Sequence, residues 1–185
     1  RVAAGTNSQN LGLVTMSSVT DGTSGTALIS ERLMGLGTSN PAKANAGDKA
    51  KRAIFDSGVT VNLNSGDGSS QALVNACNSL PGTTTSHNEN WAGAVWHGSH
   101  PGTLHFNGYT HVNTPNKLSC AAANSMSGYP GSVNDAITVT SNHSGGVNVV
   151  FCDGSVKFIK DSINMTTWWA IGTRTGGEAV SADQY

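Results

Sequence analysis

Several groups of residues in this chain have types and spacings that could do chemistry. The first lies in NHSGGVNVVFCDGSV, Asn142 to Val156, where nine residues separate His143 from Asp153-Gly154. A histidine and a carboxylate could form a base, a ligand pair or part of a metal site. The competing reading is structural. His143 would hydrogen-bond loop backbone ahead of Gly145-Gly146, and Asp153 would open a two-residue type I′ turn, which needs positive φ at both central positions. No other motif points at His143, so the structural reading is preferred. Asp21-Gly22 reads as a second turn of the same kind.

WAGAVWHGSH carries Trp91, Trp96, His97 and His100, with His87, His105 and His111 in neighbouring sequence. Aromatic faces beside polar groups could hold a sugar ring or a peptide. Several histidines could bind a transition metal, but their spacing matches no zinc motif. The alternative is tryptophans that pack a long loop onto a sheet. NSGDGSS places Asn64 and Asp67 in a glycine-rich loop that could ligate Ca²⁺, but it lacks the acidic alternation and distal Glu of an EF-hand. Glu31 and Arg174 flank apolar segments and could pair as an Arg–carboxylate fork across the sheet and the last helix; otherwise both are solvated.

Three cysteines are present. Cys152 lies in an alternating apolar run and reads as a small core residue. Cys77 and Cys120 flank the Gly/Asn/His-rich middle. They are either a disulfide, which would stabilise the domain by roughly 2–4 kcal/mol, or two buried thiols. Enzyme signatures are missing: there is no G-x-S-x-G, no H-E-x-x-H and no P-loop. Acidic residues are too sparse for a glycosidase pair. A non-enzyme without a resident cofactor is expected.

The elements that would position these residues follow from composition and periodicity. Charged residues make up 11% of the 185, against roughly a quarter in ordinary soluble domains. Polarity comes from Gly, Ser, Thr and Asn, a composition of turns and strands typical of extracellular β proteins. The formal net charge of -1 gives no reason to expect nucleic acid or an anionic membrane as partner. No apolar run is long enough to span a bilayer and no signal peptide is recognisable. The chain starts at Arg1 without an initiator Met, as a fragment or processed form would.

Strands are expected at Leu11–Met16, Ala27–Ile29, Val59–Leu63 and Ala136–Thr140, with a further candidate near Thr103–Asn113. Short helices are expected after Pro41 and after Ser70 as N-cap, the latter burying Leu73, Ala76, Cys77 and Leu80. A last helix within 162–175 buries Ile163, Thr167, Trp168 and Ile171 and stops at Gly176-Gly177. In the hairpin around Asp153-Gly154, Cys152 faces Ser155 and Phe151 faces Val156, which puts Val149, Phe151, Val156 and Phe158 on one buried face. The chain reads as a single α+β domain: an antiparallel β-sheet with few short helices and long loops. Residues 81–135 form a loop-rich excursion, 115–135 included, and 136–160 supply the terminal strands.

NHSGGVNVVFCDGSVKFI resembles the C-terminal signature of a large bacterial prepilin-like family of unknown function, expanded in planctomycetes. TDGTSGTALISE (Thr20 to Glu31), PNKLSC (Pro115 to Cys120) and WWAIGTRTGGEAVS are similar to further segments of that family, in the same order. The resemblance implies a pilin-like globular domain, similar to the major pseudopilins of type II secretion, whose sheet packs on a long apolar N-terminal helix. It implies copies of itself or related pilin-like subunits as partners, and an extracellular or cell-envelope location. This sequence departs from the pattern in lacking that helix, so it would not assemble through it and would not itself contact a membrane. A solute-binding label attached to the family implies a second reading: a secreted or surface-anchored module that captures a solute or glycan near Trp91, Trp96 and His97.

Overall fold

The computed structural model describes residues 14–61, 67–90, 92–93, 108–124, 135–178, 180–181 and 184. The fold is α+β. Its main sheet has three antiparallel strands, β1 (Ala27–Ser30), β6 (Gly146–Phe151) and β7 (Val156–Lys160), with β6 in the centre. Two-residue strands β2 (Gly37–Thr38) and β4 (Glu89–Asn90) pair antiparallel, and β3 (Ile54–Asp56) pairs in parallel with β5 (Ser119–Ala121). The helices are α1 (Asp48–Lys51), α2 (Asp67–Asn78) and α3 (Met165–Ile171).

β6 alternates as its sequence suggests. Val147, Val149 and Phe151 are fully buried and join Val139, Ile159, Ile163, Trp168 and Ile171 in the largest core cluster. The hairpin that follows corrects the expected register. Val149 faces Lys157 and Val150 faces Val156. The Gly154 amide donates to the Phe151 carbonyl and the Phe151 amide to the Ser155 carbonyl. Gly154 has φ 85°, whereas Asp153 stays out of the left-handed region. This is a type I turn closed by a glycine bulge, a three-residue loop instead of the two-residue I′ loop. One extra loop residue reverses every side chain of the return strand. Ile159 therefore points into the core, while Val156 and Phe158 are 63% and 45% exposed on the other face. Cys152 is moved too: it sits half-buried in the turn, not in the core.

The segment 136–140 is extended and wholly buried, but it forms no ladder beyond one bridge from Ala136 to Cys120. Buried amides must find partners, and here side-chain hydroxyls substitute for a neighbouring strand. The Ile137 amide donates to Thr110 Oγ1 and the Thr138 amide to Ser119 Oγ.

α2 buries Leu73, Val74 and Cys77. It begins at Asp67, three residues before Ser70, the expected N-cap. The Cys77–Cys120 disulfide forms, with Cα atoms 5.9 Å apart, and ties α2 to β5. Around it Ala42, Ala50, Ala53 and Phe55 make a second core cluster.

Other boundaries differ from expectation for local reasons. Of the strand expected at Leu11–Met16, residues 11–13 lie outside the described residues; Met16–Ser18 is a 3-10 turn, and Val14 and Met16 face solvent. The helix after Pro41 shrinks to α1. Val59–Val61 is irregular, held by the Asn124 side chain, which receives the Val61 amide and donates to its carbonyl. β5 occupies the end of PNKLSC, which reads as loop in sequence. α3 is capped by Asn164, whose Oδ1 accepts from the Thr166 amide, and stops at Gly172, ahead of Gly176-Gly177.

Candidate functional site

The segments that stand out in the sequence meet around the main sheet. β1 carries the end of TDGTSGTALISE and β6 the middle of the His143–Asp153 segment, and they pair directly: Ile29 with Val150 and Ser30 with Val149. At one end of the pair, Glu31 Oε1 accepts from the Asn148 amide at 2.6 Å and from Asn148 Nδ2 at 3.2 Å. Glu31 Oε2 lies 3.4 Å from His143 Nε2. The expected Glu31–Arg174 fork does not form, because the Glu31 carboxylate is directed at His143 and Asn148. Arg174 contributes its carbonyl instead, accepting from the amides of Thr20 and Asp21.

His143 is anchored as a loop residue. Its amide donates to Ser141 Oγ, and its ring meets Phe158 edge-on at 6.4 Å. At the other end of the sheet, the Thr26 carbonyl accepts from the Cys152 amide and the Thr23 carbonyl from the Asp153 amide. Lys157 Nζ donates to the Ser24 carbonyl and sits 4.1 Å over the Phe151 ring. Asp153 caps its own turn through the Ser155 hydroxyl and amide, which hold its carboxyl below the usual carboxylate range. His143 and Asp153 thus stand at opposite ends of β6 and do not form one site.

Asp21 does more than make a turn. Its Oδ1 accepts from the Gly177 amide and its Oδ2 from the Gly176 amide, both at 2.8 Å, and Thr173 Oγ1 lies 3.0 Å from Oδ2. Burial pushes the Asp21 carboxyl up, but hydrogen bonds from Gly177, Gly176 and Thr173 outweigh it and the net shift is downward. Gly22 follows with φ 93°, a conformation that suits glycine.

Sequence reasoning missed two residues that the structure makes central. Asn116, with φ 59°, donates through Nδ2 to Asp161 Oδ1 and the Gly146 carbonyl, and accepts the Ser141 amide on Oδ1. It joins PNKLSC to the entry of β6. Its signal was an Asn in a turn, where left-handed backbone is tolerated. His111 was noticed only as one histidine among several. Its ring packs 3.8 Å from Trp168 and 5.2 Å from Tyr109, and Nε2 is closed off from solvent with no hydrogen-bond partner. Burial lowers its pKa to about 3.

Trp91, Trp96 and His97, the expected ligand loop, lie outside the described residues, as do Asn64 and the side chain of Asp67. Asp67 belongs to the backbone of α2. Among the described residues no group of three or more His, Cys, Asp or Glu is arranged to hold a metal ion.

Fold and contacts together define an α+β domain whose distinctive residues knit one sheet, its hairpin tip and its C-terminal tail. The chain belongs to the family described as Protein of unknown function (DUF1559), SBP_bac_10, matched over residues 2–166. No curated protein and no solved structure matches it.

Proposed function

We propose that the chain is the globular part of a pseudopilin-like structural subunit, a non-enzymatic component of an extracellular or envelope-associated assembly. The observation that carries this reading is the outer face of the main sheet. Ile29 on β1 lies beside Val150 on β6, and Val150 beside Val156 on β7, so an apolar row crosses all three strands. Phe158 extends it. Ile29 and Val156 are 58% and 63% exposed. Burying such side chains contributes roughly 1.5–3 kcal/mol each, so the face is suited to being covered. A pilin-like sheet packed on an apolar helix would cover it.

Two further observations support the reading. Glu31, His143, Asp153 and Asp21 are engaged with backbone and neighbouring side chains, as residues that hold a fold together are. The Cys77–Cys120 disulfide fits an oxidising compartment outside the cytosol. The partners would be copies of this subunit or related pilin-like subunits.

The test places a photo-crosslinking residue at Phe158 of the full-length protein in its native cells. Adducts within a pilin-like subunit or between such subunits are expected. Absence of those adducts, together with saturable tryptophan quenching by one of a panel of oligosaccharides, would replace this reading with the solute- or glycan-binding module.

A further inference from the structure

Helix α3 is attached to the domain differently from the strands. No ladder holds it. Among the described residues it is docked by Trp168 and Ile171, with Ile163 just ahead of it, in the main core and by a hydrogen bond from Trp169 Nε1 to the Val112 carbonyl at 2.7 Å, while just past its end Thr173 and Arg174 are tied to Asp21 and Thr20. His111 lies at the centre of this joint. Its ring is packed between Tyr109 and Trp168, and the backbone of Gly172 presses on it so closely that a Cβ there would come within 2.5 Å of the imidazole. Nε2 is therefore shut off from water unless α3 moves.

Among the described residues the joint has no provision for a charge on that ring. His111 Nε2 is buried and has no acceptor, and Trp168 Nε1 beside it is also buried without a partner. α3 contains no acidic or basic residue. On the 108–114 segment the titratable neighbour is Tyr109, a phenol that burial raises to about 12 and that therefore stays neutral, with the Cys152 thiol beyond it. Protonated at Nε2, the imidazole would find neither an acceptor nor a counter-charge among the described residues.

We propose that His111 is an acid-sensitive latch: protonation at Nε2, possible only once that atom reaches water, releases α3 from the sheet and uncovers the core face of Val147, Val149 and Ile159. The sheet itself stays, because β6 is held by ladders on both sides. The latch is independent of the outer-face reading, since α3 covers the opposite side of the sheet.

The coupling has a defined size. Imidazole in the opened state titrates near its ordinary value of 6.5, and in the closed state near 3. Between these values the opening constant rises about tenfold per pH unit. Amide exchange, corrected for its intrinsic pH dependence, reads this directly. From pH 7 to 4.5 the protection of the Trp168 and Gly172 amides should fall roughly 50- to 100-fold. The Val147 and Val149 amides should change by less than about threefold, the mark of a local opening. His111→Phe should leave α3 protection flat over the same range. Should that variant fail to fold, His111→Gln, which keeps a polar group without a titration near neutrality, serves in its place. Equal loss of protection in α3 and β6, or the same α3 slope in the variant that folds, overturns the proposal.

Discussion

Removing the Cys77–Cys120 disulfide should destabilise the domain strongly while leaving its folded structure almost unchanged. Both cysteines are fully buried, and they sit 43 positions apart in sequence. Cross-linking removes loop entropy from the unfolded chain in proportion to the logarithm of that separation. For a loop of this length the chain-entropy relation gives about 13 cal/mol/K, or about 4 kcal/mol at room temperature. In a domain of this size each kcal/mol moves Tm by roughly 2–4 °C, so Cys77→Ala/Cys120→Ala should melt about 8–16 °C lower. Because the effect acts through the unfolded state, the urea m-value should rise as that state expands. The backbone NMR shifts of β6 and β7 should stay put. A double variant with unchanged Tm and urea midpoint would show that the bridge adds nothing to what α2, β3 and β5 gain by packing, and the entropy argument would fail.

The hairpin register gives a sharper contrast between neighbours. Ile159→Lys buries a charge against Trp168 and Val147 and should cost at least about 3 kcal/mol or prevent folding, whereas Phe158→Lys should change the urea midpoint little. Equal damage from the two would restore the two-residue turn. Asp21→Ala should free the tail without unfolding the domain: the Gly176 and Gly177 amides should exchange faster, and Tm should move by only a few degrees. In the unaltered protein the same tie follows pH. The Asp21 pKa is lowered on folding, so its contribution is complete above the ordinary Asp value near 3.9 and is lost as pH falls through the lower folded value. Tail amides whose protection drops already between pH 7 and 5 would contradict that assignment.

The parts legible in the sequence are those fixed by local pattern. β6 is readable because Val147, Val149 and Phe151 alternate, and α3 because Ile163, Trp168 and Ile171 repeat at helical spacing. The turn between β6 and β7 defeated the same logic. Asp-Gly suits both a I′ loop and a type I turn with a glycine bulge, and VKFIK offers an apolar residue to the core in either register: Phe158 in one, Ile159 in the other. Tertiary packing chose Ile159, which fits beneath α3. The segment 136–140 was readable as extended but not as unpaired, because its partners are the hydroxyls of Thr110 and Ser119, distant in sequence. Asn116, and Asp21 as a clamp, were invisible for that reason too: each acts on backbone groups far along the chain.

The same distinction bears on what the signature residues are for. A His and an Asp-Gly at fixed spacing invite a reading as a reactive pair, but the spacing spans β6 from its entry loop to its turn, and the two residues sit at opposite ends. What they share is a partner segment. The stretch from Asp21 to Glu31 runs the length of β6, touching the hairpin tip through Thr23, Ser24 and Thr26 and the entry loop through Glu31. Through Asp21 it also holds the tail beyond α3. Residues placed this way resist independent change, because each closes a contact that another segment opens. They fix the edges of a sheet whose inner face is a packed core and whose outer face, from Ile29 across to Val156 and Phe158, remains apolar and exposed.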